Sequence, residues 1–180
     1  MANYTQLFVQ LVFAVKHRDA LIDRELEERL YPYIIAIVNN RKHEVIAIGG
    51  MPDHIHILLR LHPSQCISDL VRDIKSNSSH MVNEEHLVRG RFAWQTEYGA
   101  FTYSKSQVPA VKRYVLNQKA HHKKETFQEE ILRIFAMLGL PYSAEYGFNF
   151  NIAVNVAVPI AGASAHPPAH DFPALPRRAT

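Results

Sequence analysis

The stretch between Met51 and Leu61, MPDHIHILLRL, constrains the fold of this chain more than any other. Two glycines precede it and a Pro-Asp pair opens it, which is typical of a turn. The alternating residues that follow predict a strand, in which successive side chains point to opposite faces of a sheet. One face carries both histidines of the stretch, and the other is wholly apolar. The first face holds His54, His56, Leu58 and Arg60. The apolar face holds Ile55, Ile57, Leu59 and Leu61.

The order of the other predicted elements indicates an α+β fold. Alternation over residues 7–15 predicts a first strand, and Asp23 is a suitable N-cap for a helix in which Pro32 predicts a kink or a restart. We expect a strand over residues 44–49, extended segments over 92–96 and 100–104, and helices after Pro63, over 107–124 and over 127–138. The order strand-helix-strand-strand-helix-strand is that of a ferredoxin-like (split βαβ) antiparallel sheet with helices packed on it.

Composition indicates one folded domain and a tail. The chain has 180 residues, of which 47% are hydrophobic and 21% charged, and no apolar run reaches the length of a membrane span. The single cysteine excludes a disulfide framework and fits a reducing, cytoplasmic compartment. A net charge of +3 permits a polyanionic partner without requiring one. We expect the domain over residues 1–150 and an Ala/Pro-rich, disordered tail over 151–180.

A second group of polar residues lies on the third predicted helix. Tyr114, Gln118 and His121 fall at positions i, i+4 and i+7, so they share a stripe beside an apolar one that should dock on the sheet. The same helix is the most basic segment of the chain. Taken alone, this helix is explained as well by a tyrosine and a glutamine at the edge of the core, with solvated lysines around them.

Taken together, the strand and the helix suggest chemistry on phosphodiesters. Imidazoles at i and i+2 of one strand lie close enough to chelate one divalent ion, although isolated His pairs on strands are often surface residues. Tyrosine can act as a nucleophile, and attack on a phosphodiester needs the charge neutralisation that a divalent ion provides. His54, His56 and the amide oxygen of Gln118 would hold such an ion, and Tyr114 would attack.

The pairing of PDHIH at residues 52–56 with YVLNQ at residues 114–118 resembles the single-tyrosine HUH transposases of small single-strand insertion sequences, the TnpA type. The resemblance extends to the end of the first strand, to SDLVRDIK at 68–75 and to the segment from Trp94 to Phe101. It therefore covers roughly residues 4–148, in one consistent order. The tail after residue 150 is not expected in this family.

The resemblance implies a specific activity. It makes Tyr114 the catalytic tyrosine and His54, His56 and Gln118 the ligands of Mg²⁺ or Mn²⁺, of which imidazole suits Mn²⁺ better. It also implies a homodimer whose active sites are shared between subunits, in the cytoplasm of a bacterial or archaeal cell, at the nucleoid and not at a membrane. The substrate would be single-stranded DNA with hairpins, cleaved through a 5′-phosphotyrosine and rejoined.

The sequence alone leaves alternatives for the DNA contacts and for the activity. Basic residues on the helices are candidates for phosphate contacts, although each is also explained as part of a solvated face. A non-catalytic or domesticated hairpin-binding protein of the same fold is the alternative function, and a metal-dependent hydrolase with Asp53 as base is a further one. The candidate DNA contacts are Arg72, Lys75, Lys112, Lys119, His121 and Lys123.

Overall fold

The computed structural model describes residues 4–122 and 126–138. One antiparallel sheet contains four strands in the order β2-β3-β1-β4, and helices cover it, which confirms the predicted α+β, ferredoxin-like class. The strands are β1 (Phe8–Ala14), β2 (Glu44–Met51), β3 (His54–Arg60) and β4 (Gly99–Tyr103). The described helices are α1 (Arg24–Asn40), α2 (Ile67–Glu84), α3 (Val108–Leu116), α4 (Gln118–His121) and α5 (Phe127–Leu138).

The main core lies between one face of the sheet and helices α1 and α2. Alternate residues of β1 and β3 point into it, among them Phe13 and Ile57, which are fully buried. Helix α1 begins where the sequence predicts, because the Asp23 carboxylate accepts a hydrogen bond of 2.8 Å from the Leu26 amide. The predicted apolar face of β3 therefore packs as expected, and the histidines lie on the other face.

Helices α3 and α5 cover this second face. The apolar stripe of α3, with Val115 at its centre, packs on Ala47 of β2 and Leu58 of β3, as the sequence predicts. The approach is close because β2 has a glycine there: a Cβ added at Gly49 would lie 2.2 Å from the carbonyl oxygen of Val115. Helix α5 packs on Val12 and Phe101 through a separate apolar cluster.

One local expectation was wrong, and the structure refines two others. The helix expected over 107–124 ends at Leu116, and the short α4 follows after Asn117, whose φ of −103° and ψ of 19° lie outside the helical range. Helix α1 continues through the exposed Pro32, so no restart occurs there. Residues 92–96 form no strand, and only a bridge joins Trp94 to Val15.

Two further findings concern the extent of the chain. Of the helices within the described residues, none is long and apolar enough to cross a membrane. The expected tail over residues 151–180 lies outside the described residues, so the domain boundary at residue 150 stays a prediction.

We expect Gly49→Ala to destabilise the fold by about 1–3 kcal/mol, because the added methyl group forces α3 away from β2. Urea unfolding followed by circular dichroism measures this loss. Gly90→Ala is a useful contrast: Gly90 has a φ of 88° with no atom within 4 Å of its added Cβ, so only backbone strain is introduced there. A Gly49→Ala protein as stable as wild type would contradict the close packing of α3.

Candidate active site

The two histidines of β3 are buried and held in fixed orientations. His54 and His56 are 1% and 0% exposed, and their ring centroids lie 5.3 Å apart. The Nδ1 atom of His54 lies 2.7 Å from Oδ1 of Asp53, and Nδ1 of His56 lies 2.8 Å from Nε2 of Gln10. Because each ring is held through Nδ1, its Nε2 atom is directed into the space under α5.

The partner of His54 is itself anchored by an arginine. Nε of Arg18 donates a hydrogen bond of 3.0 Å to Oδ2 of Asp53, and the Arg18 guanidinium lies 4.0 Å above the Phe127 ring. Arg18 has a φ of 64°, an uncommon value for a residue with a side chain. The sequence analysis did not single out Arg18, since a basic residue at the end of a strand carries no distinctive pattern.

Electrostatics keep this pair in definite charge states. Burial alone would raise the pKa of the Asp53 carboxyl, but the hydrogen bonds and charges of His54 and Arg18 outweigh it and lower the pKa to about 2. Burial lowers the pKa of His54 to about 4, against the opposing effect of Asp53. At neutral pH His54 is therefore a neutral imidazole, which is the form that binds a metal ion.

Tyr114 and Gln118 lie beside the histidines within the same chain. The ring of Tyr114 is 5.9 Å from that of His56 and nearly perpendicular to it, at 87°. Gln118 is 1% exposed, although α3 ends two residues before it. The structure thus brings together all four residues to which the sequence assigned chemistry, and their catalytic and metal-binding roles stay predictions.

Glu130 of α5 lies at the centre of the site and was missed by the sequence analysis. Its carboxylate is fully buried, and it accepts hydrogen bonds from the Tyr114 hydroxyl, from Nε2 of Gln118 at 3.2 Å and from Nε2 of His122 at 3.1 Å. One signal was available: Glu130 interrupts the apolar stripe of α5, three residues after Phe127 and four before Ile134.

The site has the chemistry of a divalent metal centre. Nε2 of His54, Nε2 of His56 and Oε1 of Gln118 are buried, and none of the three has a hydrogen-bond partner in the part of the chain that is described. Ligand atoms of His54, His122 and Glu130 all lie within 4.8 Å of one another. Imidazole nitrogens with amide and carboxylate oxygens are a donor set that suits Mn²⁺ and accommodates Mg²⁺.

The candidate DNA contacts are scattered. Arg72 and Lys75 belong to α2, which packs on the opposite face of the sheet from the histidines. The Lys75 ammonium donates to the carbonyls of residues 95, 96 and 97 at 2.8, 3.0 and 2.8 Å, so its three N–H groups are used inside the protein.

The remaining candidates lie on or after the helices that cover the site. Lys119 forms an ion pair with Glu27, whereas Lys112 is exposed. On α2, Arg72 is paired with Asp69 at 2.8 Å. His121 ends α4, and Lys123 lies outside the described residues. All six assignments to DNA stay predictions.

The chain is similar to known transposases. The family model described as "Transposase IS200 like" matches residues 3–118. The ISDra2 transposase TnpA of Deinococcus radiodurans is 30% identical over 126 residues, which are 67% of this chain and 87% of that protein. This chain belongs to the IS200-like transposase family. The resemblance seen in the sequence is thereby confirmed.

Solved structures agree with this assignment. The crystal structure of a Deinococcus radiodurans R1 protein described as a transposase matches with a TM-score of 0.53 and 27% identity, over 66% of this chain and 95% of that one. A REP-associated tyrosine transposase bound to a REP hairpin matches with a TM-score of 0.54 and 17% identity, over 79% of this chain and 89% of that one. The second likeness supports the fold of this IS200-like transposase.

We expect Asp53→Asn to weaken Mn²⁺ binding by about 10- to 100-fold in this IS200-like transposase, because the neutral side chain no longer orients His54 as a carboxylate does. Calorimetric titration of the purified protein measures the change. Asp19→Asn is the matched control, since Asp19 is exposed and also lies next to Arg18 in sequence. If the Asp53 variant bound Mn²⁺ as tightly as wild type, the claim that Asp53 orients His54 for metal binding would be contradicted.

Proposed function

We propose that this transposase cleaves and rejoins single-stranded DNA at hairpin-bearing element ends, through a 5′-phosphotyrosine on Tyr114 and with a divalent metal. The observation that carries the proposal is the convergence of a tyrosine hydroxyl, two imidazoles and an amide in one buried cluster. Tyr114 and Gln118 both donate to Glu130, and the Nε2 atoms of His54 and His56 face the same carboxylate at 3.7 and 3.4 Å.

The proposed step is a transesterification that needs no external energy source. The phenolic oxygen of Tyr114 forms a bond to the scissile phosphorus, and the bond from phosphorus to the 3′ oxygen breaks. The phenol loses one proton and the departing 3′ oxygen gains one. The products are a 5′-phosphotyrosine and a free 3′-OH, and attack by another 3′-OH on the phosphotyrosine rejoins the strands.

His54, His56 and the amide oxygen of Gln118 would hold the metal ion. When bound, Mg²⁺ or Mn²⁺ would supply Lewis-acid stabilisation of the charge that builds up on the phosphate oxygens. The Asp53 carboxylate accepts from Nδ1 of His54, which leaves the Nε2 lone pair of that ring available. The side-chain amide of Gln10 contacts Nδ1 of His56, and a flip of this amide would let Oε1 accept from Nδ1 and free Nε2 of His56 in the same way. Gln118 is held through Nε2 by Glu130, which leaves Oε1 as its available atom.

The hairpin part of the proposal rests on relatives and charge. The REP-associated tyrosine transposase that shares this fold is bound to a REP hairpin. The chain has a net charge of +3, which favours a polyanion in general. Lys112 is exposed and lies on α3, the helix that carries Tyr114.

We expect Tyr114→Phe to abolish the covalent protein–DNA product and to leave hairpin binding largely intact, because only the nucleophilic oxygen is removed. Wild type is incubated with Mn²⁺ and a labelled single-stranded oligonucleotide that carries the element end, and a denaturing gel detects the adduct. Tyr33→Phe, on an exposed part of α1, is the matched control and should form the adduct normally.

The same gel includes the tests of the metal and of the alternative function. His54→Ala, or wild type with EDTA, should form no adduct. An adduct that survives in Tyr114→Phe would remove Tyr114 from the proposed role, and cleavage in EDTA would remove the metal. Binding by wild type without any adduct would instead support a non-catalytic or domesticated hairpin-binding protein.

A mixing experiment tests whether subunits share active sites, as the resemblance implies for a homodimer. Tyr114 and His56 lie side by side within one chain, and in the proposed homodimer the same two residues would meet across subunits. We therefore expect an adduct to form when inactive His54→Ala and Tyr114→Phe proteins are mixed and allowed to exchange subunits, and its absence would indicate that each chain cleaves with its own tyrosine. An adduct in the mixture would establish that one subunit's tyrosine works with the histidines of another.

A further inference from the structure

Glu130 presents an unusual combination of burial and charge. Its side chain is 0% exposed, and it lies among three imidazoles, a phenol and an amide. Burying an ionised carboxylate costs much free energy unless a positive charge compensates it. A cation bound close to the Glu130 carboxylate would supply this compensating charge.

The geometry around the carboxylate identifies where such a cation would bind. Oε1 of Glu130 lies 3.4 Å from Nε2 of His56, and Oε2 lies 3.7 Å from Nε2 of His54. Both nitrogen atoms are buried and lack a hydrogen-bond partner within the described ranges. Two imidazole nitrogens and a carboxylate that face one another at these distances, with no hydrogen bond between them, are a donor set typical of a metal site.

We infer that Glu130 is the anionic ligand of the divalent metal, and that it joins His54, His56 and Gln118 in the site. The inference rests on the proposed function for the metal itself and adds a ligand from α5, which the motif residues do not include. His122 donates to Oε2 at 3.1 Å and so orients the carboxylate. With Glu130 as a ligand, the net charge of the ion and its ligands falls from +2 to +1. A carboxylate oxygen is also a ligand that hard divalent ions such as Mg²⁺ and Mn²⁺ prefer.

A purely structural role for Glu130 makes a different prediction. As a hydrogen-bond acceptor for Tyr114, Gln118 and His122, a carboxylate can be replaced in part by an amide oxygen, which also accepts. As an anionic metal ligand it cannot be replaced in this way, because the amide lacks the negative charge. Glu130→Gln therefore separates the two roles while it keeps the shape of the side chain.

The experiment is a calorimetric titration of the full-length apo protein with Mn²⁺ alone. We expect Glu130→Gln to bind Mn²⁺ at least about 10-fold more weakly than wild type, since a ligand should matter no less than the groups that orient it. Glu129→Gln is the matched control: it removes the same charge from the same helix, and glutamine still serves the capping box with Thr126. Unchanged affinity in Glu130→Gln would overturn the inference.

His54→Ala distinguishes failure of this inference from failure of the proposed function. Loss of Mn²⁺ binding in His54→Ala with wild-type affinity in Glu130→Gln would reject only the role of Glu130. Wild-type affinity in His54→Ala would reject the metal site as a whole.

A second measurement does not depend on the variant's folding. In wild-type protein labelled with ¹³C-glutamate, Mn²⁺ should broaden the side-chain carboxyl signal of Glu130 far more than that of Glu129. Equal broadening of the two signals would contradict ligation by Glu130.

Discussion

The burial of β3 on both faces is the constraint on which the site depends. The strand lies between β1 and β2, and all of its residues except Arg60 are buried. Its apolar face is buried by α1 and α2 without difficulty. Its other face carries His54 and His56 into the same dry environment, where an unsatisfied polar atom costs about 1–3 kcal/mol. The sequence around β3 must therefore provide polar partners for two imidazoles.

Those partners come from outside β3, in two series of side-chain contacts. Arg18, which follows β1, holds Asp53, and Asp53 holds Nδ1 of His54. Tyr103 of β4 donates to Oε1 of Gln10 at 2.9 Å, and the amide of Gln10 contacts Nδ1 of His56. Both series of contacts engage Nδ1 of a histidine ring, and Nε2 of each ring faces the site. The rigidity of the sheet is thus passed on to the histidines through side chains that carry no sequence motif.

Local pattern in the sequence predicted much of this architecture. The period of two in β3, the N-cap at Asp23 and the capping box at Thr126 are each determined by residues a few positions apart, and each has the expected structure. Glu130 was not predicted, because its partners Gln118 and Tyr114 lie 12 and 16 residues away and the histidines lie farther. The internal hydrogen bonds of Lys75 were not predicted for a similar reason, because the carbonyls that accept them belong to a distant irregular segment. Contacts of this kind follow from tertiary packing and leave little trace in periodicity.

The break in the third predicted helix shows how packing and chemistry are combined. Val115 must lie against Gly49, which determines the position of α3 on the sheet and hence the direction of its neighbour Tyr114. The backbone then leaves the helical path at Asn117, and Gln118 opens a separate turn. Tyr114 and Gln118 nevertheless donate to the same oxygen of Glu130, so α5 sets where the two side chains meet. The spacing of the tyrosine and the glutamine in sequence is therefore not sufficient to form the site, and the buried carboxylate of α5 completes it.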